Sequence, residues 1–203
     1  LRRVQAALIG TGPIRDRFGW RELKLQSLAR DEGGSGDHVL APLARDDEIA
    51  AVLRELSWEP ASEGADWKRV SIAYVSAFAI GIAPLAAIAA ANLLMPLPLI
   101  GAIGLALIAT ALFMRWVAWR RTRYALDGDR LLIGSGWWRR RTLILPLSRM
   151  QSIELRQSFV ARWFGVSSLL FGVAGGGLRA HEIPALPDKS ARDLRAKLLS
   201  VAP

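Results

Sequence analysis

The pattern of hydrophobic and polar positions is dominated by residues 70–114, a stretch without a single charged side chain. A helix that spans a membrane needs about 20 apolar residues, so this stretch has room for two spans and a turn. Pro96 and Pro98 mark the turn, because prolines so close together remove the hydrogen bonds of a continuous helix. The pattern therefore predicts transmembrane helices over 70–91 and 97–117.

Basic residues flank the outer ends of this hairpin, whereas the loop between the spans, residues 92–96, carries no charge. Positively charged flanks stay in the cytoplasm, and tryptophans favour the boundary between lipid and water. We therefore expect both ends of the hairpin to lie in the cytoplasm and the loop to lie outside. The predicted interface anchors are Lys68, Arg69, Arg115, Trp116, Trp119, Arg120 and Arg121.

Small residues recur at a spacing of four along both spans, which allows helices to approach closely. We expect them to hold the two spans together, and a contact between subunits is the alternative. Neither span contains an ionisable side chain, which argues against transport by the hairpin alone. The small residues are Ala83, Ala87, Ala91, Ala102, Ala106 and Thr110.

The segments before and after the hairpin resemble each other, with residues 1–9 aligned on residues 147–155. A repeat with so long a period indicates a duplicated domain rather than a solenoid. Further matched pairs are Phe18-Gly19 with Phe164-Gly165, His38 with His181, and Leu43 with Leu186.

Residues 118–203 form the second copy, in which short apolar runs alternate with turn signals at intervals of about 8–12 residues. This spacing predicts a small antiparallel β-sandwich or barrel. Asp188 is placed to cap a closing helix. The inner face of that helix would carry Ala191, Leu194 and Leu198. The predicted strands are residues 124–126, 131–133, 142–145, 150–157, 168–173 and 178–183.

The first copy, residues 1–58, holds only the later strands of the second copy and a helix at 46–56. Half a barrel leaves open strand edges and an unfilled core. We therefore expect the missing part to lie upstream in the native chain, and residues 59–69 to be a linker to the hairpin.

One pair of polar residues recurs in both copies, Arg3 and Gln5 in the first and Arg149 and Gln151 in the second. Residues two apart on a strand share a face, so we expect a structural pair that hydrogen-bonds the adjacent loop backbone. A shared recognition surface for a peptide or a partner barrel is the alternative.

Several kinds of site are excluded by composition. The chain has no cysteine, and one histidine per copy, His38 and His181, is too few for a metal site. Residues 10–12 begin like a dinucleotide-binding fingerprint, but Arg15 stands where its third glycine should be. The net charge of +9 comes from the residues after the hairpin, without a recognisable nucleic-acid motif. We expect membrane lipid as a partner, and no nucleic acid, metal or cofactor.

Between the hairpin and the closing helix stand RYALDGDRLLI (123–133), LPLSRMQSI (145–153), RWFGV (162–166) and AGGG (174–177). In this combination the chain resembles the bacterial pleckstrin-homology-like (PH-like) membrane proteins of the YdbS/YdbT type. The resemblance implies a seven-strand barrel with a C-terminal helix, repeated along a multi-span protein, and no enzymatic activity or catalytic residues. The expected fold class is an α+β membrane protein: a transmembrane hairpin and a PH-like antiparallel barrel, preceded by the second half of another PH-like module.

The strongest local candidate for a binding surface is Trp137-Trp138-Arg139-Arg140-Arg141. Each arginine near an anionic lipid surface contributes about 1 kcal/mol, so three would contribute about 3 kcal/mol to docking. The alternative is that one tryptophan belongs to the core and the arginines guard an edge strand.

These features predict a non-enzymatic protein of the bacterial inner membrane that presents PH-like domains at the cytoplasmic face. There it would bind lipid and a protein partner or a second copy of itself. The alternative is a component of a transport, export or compound-resistance system, in which other spans would supply ionisable residues.

Overall fold

The computed structural model describes residues 4–27, 37–56, 58, 64–95, 98–173 and 181–201. In chain order the elements are β1 (Val4–Thr11), α1 (Pro13–Arg17), β2 (Arg21–Ser27), β3 (Asp37–Ala44), α2 (Asp46–Glu55), β4 (Lys68–Arg69), α3 (Ala73–Asn92), α4 (Pro98–Arg121), β5 (Arg123–Asp127), β6 (Arg130–Ser135), β7 (Arg140–Pro146), β8 (Met150–Arg156), α5 (Phe159–Trp163), β9 (Val166–Val173), β10 (His181–Pro187) and α6 (Asp188–Val201). The predicted α+β class, with two apolar helices and antiparallel strands, is confirmed.

The described strands form two antiparallel sheets, one of seven strands in the order β3-β2-β1-β7-β6-β5-β4 and one of three strands in the order β10-β9-β8. The larger sheet crosses from one copy to the other, because β1 pairs with β7, with Ala7 opposite Ile144 and Thr11 opposite Arg140. Strands β5–β7 therefore continue into the first copy, and the closed seven-strand barrel that the resemblance implies stays a prediction.

Both faces of the central strands of the large sheet are buried. One face packs on β8–β10 and α6, and the other face packs on α2. Side chains alternate between the two faces of a strand, so Leu131 and Ile133 enter the first core and Leu132 enters the second. Burial on both faces explains why these strands are continuous apolar runs. Ala125, Leu132 and Ile144 of β5–β7 fill the core of the first copy from the second copy. The expected missing part of the first copy, upstream in the native chain, stays a prediction.

The repeat is visible in the described elements. In each copy a strand leads into a five-residue helix, α1 or α5, and then into a Phe-Gly pair. Both glycines, Gly19 and Gly165, have left-handed backbone conformations, with φ of 69° and 60°. The hydrophobic pattern did not predict the two short helices.

Strand pairing corrects one part of the alignment between the copies. His38 lies opposite Leu25 and His181 lies opposite Phe171, so the match of the histidines is confirmed. The match of Leu43 with Leu186 is wrong by one residue, because β3 contains a bulge that skips Leu40. Ala44, opposite Arg21, takes the position of Leu186, opposite Ser167.

The hairpin consists of α3, which continues through Pro84, and α4, which extends four residues beyond its predicted end at 117 to Arg121. The helices approach each other closely at Gly101, where an added Cβ would lie 2.6 Å from the carbonyl oxygen of Ala89. The prediction that the small residues hold the spans together is wrong, because all six are exposed on the outside of the hairpin: Ala83, Ala87, Ala91, Ala102, Ala106 and Thr110.

The closing helix α6 has the predicted inner face, with Ala191 and Leu198 fully buried and Leu194 packed against the same core. Asp188 does not cap the helix as expected. Its carboxylate instead accepts hydrogen bonds from the side chains of Gln157 and Ser167. The predicted turn at 174–177 lies outside the described residues.

Candidate functional site

Strand register brings several chain segments to the end of the large sheet from which α3 and α4 leave. Thr11, the last residue of β1, pairs with Arg140, the first residue of β7. Arg123 begins β5 two residues after the end of α4 and pairs with both Arg69 and Gly134. We call this region the helix-proximal end. The connections β1–β2 and β6–β7 both lie there.

The β6–β7 turn is held beside the end of α4, because Arg121 Nη1 donates a hydrogen bond to the carbonyl oxygen of Trp137 at 2.5 Å. Gly136 permits the turn: its φ is 111°, and an added Cβ would lie 1.8 Å from the carbonyl oxygen of Arg139. Trp137 and Trp138 are 46% and 58% exposed, with ring centroids 5.8 Å apart. The alternative in which one of these tryptophans is a core residue is therefore wrong.

The three arginines of the turn have different surroundings. Arg140 forms an ion pair with Asp16 of α1 at 3.2 Å. Arg139 and Arg141 have no carboxylate partner in the described part of the chain, and with Trp138 they line a cavity of about 240 Å³. The opposite wall of this cavity belongs to β1, α1 and β2, so both copies form it.

Two of the predicted interface anchors point inward. Arg115 donates hydrogen bonds to Tyr74, at 2.8 Å to the hydroxyl and 3.2 Å to the carbonyl oxygen, and lies 3.5 Å from the centre of the Tyr74 ring. Trp119 Nε1 donates to the carbonyl oxygen of Val70 at 3.0 Å. Both side chains tie α4 to the start of α3.

The other anchors lie at the outer surface of the helix-proximal end. The guanidinium of Arg120 lies 4.7 Å from the ring centre of Trp116. Lys68 forms an exposed ion pair with Asp66 at 3.4 Å, and Arg69 is exposed. These side chains lie near the start of α3 and the end of α4, which we call the base of the hairpin.

Helix α5 adds two exposed aromatic residues that the sequence pattern did not single out. Phe159 and Trp163 are 83% and 81% exposed, whereas Ala161 and Phe164 pack with Ala73 at the start of α3. In the first copy, α1 and its turn similarly expose Ile14, Phe18 and Trp20. The spacing of Phe159 and Trp163, one helical turn apart after the N-cap Ser158, was the available signal.

A family model described as bacterial PH domain matches residues 70–202. The chain belongs to the bacterial PH domain family. The family-level resemblance is thereby confirmed, and the YdbS/YdbT type stays a prediction. Neither a curated protein nor a solved structure matches the chain.

The family match starts at the hairpin, so in this bacterial PH domain protein the first copy lies before the matched region. The polar pair predicted in both copies has different surroundings in each. Gln5 is buried in the central strand β1, whereas Gln151 is exposed on β8 and Arg149 lies half-buried in the turn before it. Arg3 lies outside the described residues.

The described histidines are not arranged in a way typical of metal binding. His181 Nε2 lies 3.0 Å from Gln26 Oε1, which joins β10 to β2. No group of His, Asp and Glu side chains suited to a metal occurs among the described residues.

A second cavity of about 300 Å³ lies beside Tyr124. Burial raises the pKa of Tyr124 above its ordinary value of about 10, while Lys68 opposes the rise.

Proposed function

We propose that this chain is a non-enzymatic bacterial inner-membrane protein whose hairpin anchors its PH-like domain against the cytoplasmic leaflet. One observation carries the proposal: exposed tryptophans and arginines from both copies lie at the end from which two exposed apolar helices leave. The domain would there bind lipid and present its sheet to a protein partner or to a second copy.

The exposure of the hairpin supports a membrane location. Only 6% of the most apolar window in each of α3 and α4 is buried, whereas a core helix of a soluble protein would be mostly buried. Ile88, Leu94 and Leu107 are among the residues that would otherwise face water. Lipid is the environment that removes such a surface from water.

The composition of the helix-proximal end supports contact with a lipid headgroup layer. Aromatic rings with a polar edge favour that layer, and here they come from the β6–β7 turn and from α5. Four exposed arginines, each contributing about 1 kcal/mol, would give about 4 kcal/mol of attraction to an anionic leaflet. These arginines are Arg69, Arg120, Arg139 and Arg141.

A partner strand has an available edge at β3, which ends the large sheet among the described strands. Val39 and Leu40 on this strand are 49% and 53% exposed. An exposed sheet edge accepts a strand from a partner through main-chain hydrogen bonds. We expect crosslinking in intact membranes to capture a partner or a second copy, and a strictly monomeric product would contradict the scaffold role.

The first experiment tests orientation and uses the absence of cysteine from the chain. Leu94→Cys, 90% exposed in the inter-helix loop, should react with an impermeant maleimide in intact bacterial cells. Asp129→Cys, in the β5–β6 turn, is the matched control and should react only after the membrane is opened. Reaction of Leu94→Cys only in opened cells would contradict the proposal.

The second experiment tests the contact between α5 and lipid. An environment-sensitive fluorophore on Trp163→Cys should be quenched by lipid-borne bromine and protected from iodide. The control is Leu199→Cys, 51% exposed in the last turns of α6, which packs near the turn before β8. Equal quenching at both positions would mean that α5 does not face the bilayer.

A further inference from the structure

We propose that the cavity between the two copies binds the phosphate of an anionic phospholipid headgroup. This inference rests on the proposed function, because it assigns a specific lipid site within the helix-proximal end. The site needs both copies, since the β6–β7 turn of the second copy forms one wall and β1, α1 and β2 of the first copy form the other.

Two arginines supply the recognition chemistry. Arg139 and Arg141 line the cavity, while Arg140 between them pairs with Asp16 and is not part of the lining. A guanidinium presents parallel N–H donors that match phosphate oxygens, and two of them surround a single phosphate well. Neither side chain has a competing carboxylate partner in the described part of the chain.

The other charged side chains that line the cavity are Arg15, Glu22 and Lys24, and the carboxylate of Glu22 forms ion pairs with both cations. Glu22 lies 3.2 Å from Lys24 and 3.7 Å from Arg15. Arg15 also donates a hydrogen bond to the carbonyl oxygen of Pro42 at 3.4 Å. The cavity therefore has an excess of positive charge on the side formed by Arg139 and Arg141, and an anion is the complementary ligand.

The shape of the cavity suits a headgroup. Its volume of about 240 Å³ is below the roughly 300–1,000 Å³ of pockets for drug-sized ligands. Gly10 and Gly12 contribute no side chain, and an added Cβ at either position would meet no atom within 4 Å. Leu8, Ile14 and Trp138 supply apolar wall, which suits the first methylene groups of the acyl chains of a lipid.

The position of the cavity favours a lipid over a free anion. Arg121 at the end of α4 holds the turn that carries Trp138, so the cavity lies beside the base of the hairpin. In the proposed orientation the base of the hairpin is at headgroup level. By contrast, the second cavity, beside Tyr124, is lined by equal numbers of acidic and basic residues: Asp66, Asp193, Lys68 and Lys197.

The test uses the full chain in nanodiscs of phosphatidylcholine mixed with phosphatidylglycerol. Native mass spectrometry after transfer to mild detergent should detect one retained phosphatidylglycerol per chain. The variant Arg139→Gln/Arg141→Gln should weaken retention about tenfold or more, because two charge-assisted contacts are lost. Arg192→Gln/Arg195→Gln on α6 changes the net charge equally, at exposed positions outside the cavity, and should retain the lipid.

A second variant fills the cavity without changing the net charge of the protein, so that loss of lipid from the cavity is distinguished from loss of general electrostatic attraction. Gly10→Val places a side chain in the empty space beside β1, where an added Cβ meets no atom within 4 Å. Because valine favours β-strands, we expect the variant to stay folded and to expel the lipid. Equal loss in the α6 control, or full retention in Gly10→Val, would overturn the proposed site. Displacement of the lipid by inorganic phosphate or soluble glycerophosphate would instead assign the cavity to a free phosphate and overturn the lipid proposal.

Insertion is measured in the same samples by the co-migration of the chain with the nanodisc scaffold protein in size-exclusion chromatography. A chain that enters nanodiscs but retains no phosphatidylglycerol would overturn this inference and leave the proposed function standing. A chain that fails to enter nanodiscs would overturn both, so the two failures are distinguishable.

Discussion

The two copies build the same local structure and place it in different surroundings. In the first copy, Thr11 Oγ1 donates to the carbonyl oxygen of Trp20 at 2.9 Å and closes the loop that contains α1. In the second copy, Gln157 Nε2 closes the α5 loop by donating to Val166 at 3.1 Å. Yet β1 lies inside the large sheet between β2 and β7, whereas β8 is the last strand of the small sheet among the described strands.

The difference follows from the side chains of the two strands. The middle of β1, residues 6–10, is entirely apolar or glycine, so it tolerates burial on both faces and hydrogen bonding at both edges. Strand β8 exposes Gln151, Glu154 and Arg156, which suits a strand with one free edge. A duplicated motif thus keeps its loop geometry while its polar pattern determines where it assembles.

The largest expected effect compares two equivalent core positions. Phe171 on β9 is fully buried, and we expect Phe171→Ala to lower the free energy of unfolding by about 3–5 kcal/mol. Leu25 on β2 is 8% exposed, and Leu25→Ala should cost about 2–3 kcal/mol. Urea unfolding in detergent micelles, followed by tryptophan fluorescence, measures both. No effect of Leu25→Ala would mean that the first copy does not fold against the second.

A proline scan tests the difference between the central and the edge strand. Every amide in the middle of β1 has a neighbouring strand, so Leu8→Pro and Ile9→Pro should each cost about 1–3 kcal/mol. On β8, alternate amides face its free edge, so one of Glu154→Pro and Leu155→Pro should be tolerated. The same unfolding assay applies. Equal damage at both β8 positions would indicate that a further strand pairs with this edge.

The sequence predicted the elements whose signals are local. The hairpin, most strands of the second copy and the inner face of α6 follow from apolar length, turn residues and helical periodicity. The pairing of β1 with β7 was not predictable in the same way, because strand register between distant segments leaves no periodic signal. Helices α1 and α5 were missed because five residues are too few to show a period.

The candidate site was partly predictable for a related reason. The run Trp137–Arg141 is conspicuous as a sequence, and the structure does expose it. Arg115 carries the same positive charge as Arg120 in the sequence, but its contact with Tyr74 depends on how α3 and α4 pack. The cavity beside Trp138 likewise needs β1 and β7 side by side, which only the tertiary structure provides.

A smaller effect should be shared by the two copies. Gly19 and Gly165 both have positive φ with open space around the position of a Cβ, so alanine at either should cost about 1–2 kcal/mol through backbone strain alone. Gly12, without positive φ and equally open, is the control and should tolerate alanine. Unequal losses at Gly19 and Gly165 would show that the copies do not share this turn.

The smallest expected effect concerns a contact of the first copy that has no counterpart among the described residues of the second. Asp16 of α1 pairs with Arg140, whereas the equivalent residue of α5 is Arg162, which has the opposite charge. Both partners are substantially exposed, at 60% for Arg140 and 34% for Asp16, so solvent screens the pair. A double-mutant cycle of Asp16→Asn and Arg140→Gln should give a coupling energy of about 0.2–1 kcal/mol.

Salt separates this coupling from packing effects, because an ion pair between exposed groups weakens as ionic strength rises. We expect the coupling measured in the unfolding assay to fall towards zero in molar salt. A control cycle of Arg162→Gln with Arg140→Gln should show no attractive coupling at any salt concentration. If the first cycle also shows none at low salt, then β1–β7 pairing and apolar burial alone hold α1 against the β6–β7 turn.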